Sequence, residues 1–135
     1  MPFISWDETL SVGLETFDKE HKQLVELVNK LHIGMISGEP HAAMDETLDG
    51  LAKYTATHFK HEEELMSTFD FPEIDEHMHE HKKLLEQVSQ FHKEFHDGKT
   101  SFTIELMQFL RDWLANHIKE TDKKYSEHFK ANGIK

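Results

Sequence analysis

The sequence lacks cysteine, which excludes disulfide bonds, thiolate zinc sites and iron–sulfur clusters. It also lacks any apolar run that approaches the roughly 18 residues of a membrane span. Its first ten residues contain no basic segment followed by an apolar stretch, so we predict no signal peptide. These absences predict a cytoplasmic location, because a reducing compartment suits a chain that has no disulfide.

Positive charge is also scarce. Lysine and arginine total 15 against 26 aspartates and glutamates, which gives a net charge of −11 with the histidines neutral. An acidic chain without a basic stripe repels phosphate backbones, so no nucleic-acid partner is expected. The 135 residues suit one domain over 1–135, which is large enough to bury about two-thirds of the unfolded surface in a single core.

Helical periodicity is the dominant pattern of the chain. Apolar residues recur at the i, i+3, i+4, i+7 spacing in four segments, at about 18–37, 41–66, 73–95 and 102–130. Asp18 is predicted to cap the first helix, and residues 1–17 are predicted to form an arm that packs on the helices. No segment has the pattern of a strand. The predicted fold is all-α, an antiparallel up-down-up-down four-helix bundle with an N-terminal arm.

Polar residues of metal-binding types interrupt the apolar stripes of these helices at seven positions: His21, His58, Glu62, His77, His81, His117 and Asp122. A polar group in a core is unfavourable unless a partner satisfies it. Alternating helix directions bring the start of the first and third helices to the same end as the last part of the second and fourth. All seven residues fall at that level, and we therefore predict a metal centre there.

The spacing within the set is informative. His58 and Glu62 are four residues apart, as are His77 and His81, so each pair lies on one helix face. His117 and Asp122 are five residues apart, which places them about 140° from each other around a straight helix. Either a carboxylate that reaches sideways to bridge two metals or a local π-bulge would accommodate that offset.

The donor set predicts the kind of metal. Five imidazoles, two bridging carboxylates and a solvent-derived bridge nearly fill two octahedral ions and leave one position open for a small ligand. Mixed imidazole and carboxylate donors favour iron or manganese, whereas zinc usually takes only four ligands. The remaining histidines and the two glutamates after Glu62 are expected to be packing, surface or helix-end residues without a role in the centre: His32, His41, His61, Glu63, Glu64, His79, His92, His96 and His128.

Four segments around these positions, DKEH, HFKHEE, HMHEH and WLANHIKETD, resemble the hemerythrin family, and the resemblance covers nearly the whole chain. It implies an oxo- or hydroxo-bridged di-iron centre that binds dioxygen reversibly. It also implies that His77, His81 and His117 hold one iron, that His21 and His58 hold the other, and that both carboxylates bridge. The family's apolar oxygen pocket is similar to five residues here: Leu24, Phe59, Trp113, Leu114 and Ile118.

Reversible binding is favoured over catalysis, because no additional acid or base is expected on the apolar stripes within one turn of the open iron. The predicted role is oxygen transport, storage or delivery by a monomer, with dioxygen as ligand and an unidentified oxygen-accepting protein as a further partner. A di-iron oxidase or peroxide reductase is the alternative, and an oxygen sensor or iron-storage module is another.

Overall fold

A computed structural model describes residues 3–134, which form helices and the turns that connect them, with no strand. The main helices are α1 (Glu15–Ser37), α2 (His41–Thr68), α3 (Ile74–His96), α4 (Ile104–Asn116) and α5 (Lys123–Ala131). A π-helical segment, His117–Asp122, joins α4 to α5, so these three elements form the fourth rod of the bundle. A short 3₁₀ turn, Glu8–Leu10, lies in the arm. The predicted all-α four-helix bundle is confirmed.

The helix boundaries follow from local chemistry. Gly38 ends α1 in the left-handed conformation, at a φ of 69° that glycine adopts without strain. The side chain of Thr103 accepts a hydrogen bond from the amide of Leu106 and caps α4. The prediction that Asp18 caps the first helix is wrong, because α1 begins three residues earlier. Asp18 instead accepts hydrogen bonds from the Ser11 hydroxyl at 2.6 Å and the Val12 amide at 2.8 Å.

The arm packs on the bundle, as its apolar residues predict. The backbone of Ile4 exchanges two hydrogen bonds with the side-chain amide of Asn29, at 2.8 and 2.9 Å. Leu10, Val12 and Leu14 are buried in the core. Residues 1, 2 and 135, which the predicted arm and domain include, lie outside the described residues.

The helices pack in the order that an up-down bundle requires. Helix α2 contacts both α1 and α3, and α1 also contacts α4. Buried leucine, methionine and phenylalanine side chains from all four rods fill the space between them. No helix in residues 3–134 is both long and apolar enough to cross a membrane. The bundle therefore brings four helix segments to one end, where the polar residues lie.

Candidate metal centre

All seven polar residues on the predicted stripes converge at one end of the bundle, and each is at most 5% exposed. Their ligand atoms form two groups, within each of which every atom lies within 4.8 Å of the others. One group contains His77, His81 and His117, and the other contains His21 and His58. Glu62 and Asp122 belong to both groups. The resemblance to the hemerythrin family implies the same division, with three histidines in one group, two in the other and both carboxylates shared.

The two carboxylates lie between the two sets of imidazoles. Oε1 of Glu62 lies 3.4 Å from Nε2 of His58 and 3.3 Å from Nε2 of His81. Oδ2 of Asp122 lies 3.1 Å from Nε2 of His21, while Oδ1 lies 2.9 Å from Nε2 of His77. Each carboxylate thus contacts imidazoles of both groups, which is the arrangement of a bridging ligand.

The π-helical segment resolves the five-residue offset between His117 and Asp122. The segment begins at the first of these residues and ends at the second. Nε2 of His117 lies 3.0 Å from Oδ1 of Asp122, so both side chains face the same point. Of the two explanations that the spacing left open, the local π-bulge is the one that the structure adopts.

Three glutamates orient imidazoles from outside the cluster. Nδ1 of His58 donates to Glu20 at 2.6 Å, and Nδ1 of His81 donates to Glu63 at 2.8 Å. A carboxylate oxygen of Glu80 lies 3.5 Å from Nδ1 of His117. A proton held on Nδ1 leaves the Nε2 lone pair free to bind a metal. The prediction that Glu63 is a solvated residue without a role is therefore wrong, whereas Glu64 is exposed as expected.

Unsatisfied atoms show that the cluster fits a metal. Seven buried side-chain nitrogen or oxygen atoms have no hydrogen-bond partner among the described residues, and six of them belong to the seven residues of the cluster. They include Nε2 of three histidines and one oxygen of each carboxylate, all directed into the cluster: His21, His58, His77, Glu62 and Asp122. Buried polar atoms without partners are rare in folded proteins, so this concentration indicates a site for metal ions.

Comparison with known proteins agrees with this geometry. A family model described as the hemerythrin HHE cation binding domain matches residues 12–129. The chain belongs to the hemerythrin family. It is 32% identical to a bacteriohemerythrin of Stenotrophomonas maltophilia (strain R551-3), with 98% of this chain and 85% of the relative aligned. It is 35% identical to a myohemerythrin of Theromyzon tessulatum, with 89% and 88% aligned.

Solved structures show the same fold. A crystal structure of wild-type hemerythrin superposes on this hemerythrin domain with a TM-score of 0.88 and 32% identity. The superposition covers 93% of this chain and 96% of the other. A single-residue variant of hemerythrin gives a TM-score of 0.90 at 31% identity, and covers 95% and 98% of the two chains.

Electrostatics hold the metal-free cluster of this hemerythrin domain together. Burial lowers the pKa of His21, but hydrogen bonds and charge from Asp122 and Glu62 outweigh it and raise the pKa to about 9. Burial likewise lowers the pKa of His117, but the charge of Asp122 and hydrogen bonds to Asp122 and Glu80 together outweigh it and raise the pKa to about 10. Both carboxylate pKa values are lowered, because the surrounding imidazoles outweigh the effect of burial. Without metal, His21 and His117 therefore form imidazolium–carboxylate pairs, His21 with Asp122 and Glu62 and His117 with Asp122.

Tyr125 is a member of the site that was not predicted from the sequence. Its hydroxyl donates to Oε2 of Glu62, and its side chain is fully buried. Tyr125 follows Asp122 by three residues and faces inward with it, and that spacing was the available signal. Because its proton is directed at Glu62, the phenol positions that carboxylate and is not free to act as an acid elsewhere.

Aromatic rings cover the imidazoles on one side. Phe59 stacks on His81 with ring centres 3.7 Å apart and an angle of 2° between the planes. Trp113 stacks on His117 at 4.4 Å and 12°. Both aromatic residues were predicted as walls of an oxygen pocket. Their rings shield His81 and His117 from water and hold the imidazole planes in place.

An apolar cavity of about 30 Å³ continues from these rings along the bundle. This volume suffices for a molecule of the size of water or dioxygen, since one water needs roughly 10–15 Å³ by the same measure. Ten residues line it: Leu24, Val28, Leu51, Thr55, Phe59, Leu84, Val88, Leu110, Trp113 and Leu114. Four of the five predicted pocket residues are among them. Ile118 is buried but lies outside this lining.

Proposed function

We propose that this protein binds dioxygen reversibly at a non-haem di-iron centre. The observation that carries the proposal is the pair of ligand groups that share two carboxylates beside an apolar cavity. His77, His81 and His117 would hold one iron, and His21 and His58 the other. Glu62 and Asp122 would bridge them. Absence of thiolate and the mixture of imidazole and carboxylate favour iron over softer or strictly tetrahedral metals.

The asymmetry of the histidines supports gas binding. Three imidazoles belong to one group and only two to the other, while both carboxylates are shared. The group with two imidazoles therefore leaves a coordination position unfilled by protein. When bound, the iron pair would offer dioxygen this open position and the electrons that oxygen binding requires.

The protein would contribute an environment that protects the bound gas. None of the ten residues that line the cavity is titratable. Thr55 is the polar residue among them, and its hydroxyl donates to the carbonyl of Leu51 at 2.7 Å, so its proton is engaged within its own helix. The apolar lining disfavours water, and because it contains no acid it offers no proton source to the gas. This absence of a general acid or base in the lining supports carriage over catalysis.

We further propose that the protein serves oxygen transport, storage or delivery as a cytoplasmic monomer that passes oxygen to an accepting protein. The absence of cysteine is consistent with a reducing compartment. The acidic surface favours solubility and disfavours anionic partners.

Iron content and reversible oxygenation test the function. The protein should contain two irons per chain, and the anaerobic ferrous form should develop a visible band in air that disappears when oxygen is removed. His77→Ala should lose iron, whereas His79→Ala, at an exposed position on the same helix, should retain both ions. Sustained oxygen consumption with a reductant over many turnovers would instead identify a di-iron oxidase or peroxide reductase. A chain with one iron, or none, would exclude the proposed centre.

A further inference from the structure

A second group of histidines and a carboxylate lies at the opposite end of the bundle. It contains Asp45 of α2 together with His92 and His96 of α3, and we call it the distal cluster. Oδ1 of Asp45 lies 3.2 Å from Nε2 of His92, and Oδ2 lies 3.1 Å from Nδ1 of His96. Asp45 is 17 residues before Glu62 on α2, which corresponds to about 25 Å along the helix. The distal cluster is therefore separate from the proposed iron centre.

The sequence brings these three residues together for simple reasons. His92 and His96 are four residues apart on α3, so both rings project from the same helix face. Helices α2 and α3 are antiparallel neighbours, which places the start of α2 beside the end of α3. His41 reinforces this contact, because its Nε2 donates to the carbonyl of Phe95 at 2.6 Å. Both backbones are thus fixed where the cluster forms.

Asp45 is incompletely satisfied by the two histidines. Its Oδ1 is buried and has no hydrogen-bond partner in the described part of the chain, although Nε2 of His92 lies nearby. This is the one such atom outside the proposed iron ligands within residues 3–134. The hydrogen bond from His96 lowers the pKa of Asp45, so the carboxylate is charged near neutral pH. A cation between Oδ1 of Asp45 and Nε2 of His92 would satisfy this oxygen, which the neighbouring imidazole leaves without a hydrogen bond of good geometry.

We propose that Asp45, His92 and His96 bind one divalent transition-metal ion of the zinc or copper class. Two imidazoles and one carboxylate are a common protein ligand set for zinc, with water in the fourth position. Ligand atoms of a tetrahedral zinc ion with bonds of about 2.0 Å lie about 3.3 Å apart. Oδ1 of Asp45 and Nε2 of His92 lie 3.2 Å apart, which is close to that value, whereas Nδ1 of His96 lies 3.1 Å from the other oxygen, Oδ2.

Small side-chain movements complete the site. The imidazole rings of His92 and His96 lie 6.4 Å apart, so one ring must move toward the other to share an ion. The side chain of His96 is 67% exposed and can rotate, whereas those of Asp45 and His92 are about one-fifth exposed and provide the fixed part. A bound ion would link the start of α2 to the end of α3, and would stabilise the folded state by mass action.

Zinc titration of the iron-loaded protein tests the proposal. The full chain is titrated with Zn²⁺ against a chromophoric chelator, and we expect one zinc per chain with no loss of iron. Asp45→Asn and His92→Ala should each weaken zinc binding by at least about tenfold, since loss of even an outer-shell partner of a ligand costs about 10–100-fold. Asp49→Asn and His79→Ala, which alter residues on the same two helices outside the cluster, should bind zinc like the parent protein.

Copper provides a spectroscopic check on the ligands. Electron paramagnetic resonance of one Cu²⁺ per chain should show coupling to two imidazole nitrogens, and His96→Ala should reduce it to one. Circular dichroism confirms that each variant is folded before binding is compared. The proposal is overturned if the iron-loaded protein binds no zinc, or if Asp45→Asn and His92→Ala bind it as tightly as the control variants do.

Discussion

Replacement of Tyr125 by phenylalanine isolates the one hydroxyl that supports Glu62. The phenol is fully buried, and its ring lies 4.8 Å from Phe129 and 5.6 Å from His77. Phenylalanine keeps these ring contacts and removes only the hydrogen bond to the carboxylate. A buried charged acceptor that loses its donor destabilises a protein by about 1.5–3 kcal/mol. For a chain of this length, that corresponds to a fall in Tm of about 6–12 °C.

The measurement is thermal and urea unfolding of the metal-free protein, followed by iron release from the loaded protein to a chelator. Release should be about 10–100-fold faster in Tyr125→Phe, because the phenol would no longer hold a proposed bridging ligand in place. Tyr54→Phe is the matched control, since Tyr54 is the other tyrosine of the chain and is partly exposed on α2. We expect it to change stability by less than about 0.5 kcal/mol. Equal stability and equal iron release in both variants would refute the role of the hydrogen bond.

Two further predictions concern the cavity and the charges of the site. Leu114→Ala should lower the free energy of unfolding by about 2–5 kcal/mol, because Leu114 is 7% exposed and lines the cavity. The same change should speed autoxidation of the oxygenated protein. An unchanged autoxidation rate would argue against a role of Leu114 in sealing the cavity. The metal-free protein should lose stability as pH rises through about 9–10 in urea unfolding, because His21 and His117 have raised pKa values in the folded state. Their contribution is fully present below the unfolded pKa of about 6.5. Iron loading should remove this alkaline loss, and its persistence would contradict the assignment of these imidazoles as ligands.

Much of the fold was predictable because it depends on the spacing of apolar residues along the sequence. Each predicted helix agrees with its observed counterpart to within a few residues, and the π segment falls inside the fourth. Residues four apart on a helix share a face, so the pairs His58–Glu62 and His77–His81 could be placed from their spacing alone. The alternation of helix direction then placed all seven residues at one end.

Residues that act across helix boundaries were harder to predict. Glu20 and Glu63 lie beside the stripes of their own helices, and each reaches an imidazole of a neighbouring helix. Such contacts depend on the rotation and separation of two helices, which periodicity within one helix does not define. The same reason accounts for the distal cluster, where His92 and His96 acquire a role only through Asp45 on another helix.

The fourth rod shows how a departure from regular helix geometry serves the site. In a straight α-helix, residues five positions apart lie about 140° from each other around the axis, so His117 and Asp122 would not face the same point. Here His117 and Ile118 are both buried, and Asp122 follows them inward. The wider π turn accommodates the additional residue, so an imidazole and a carboxylate five positions apart meet at 3.0 Å. Helical periodicity resumes in α5, which places Tyr125 against Glu62, and the π segment therefore positions both Asp122 and the phenol that supports the other carboxylate.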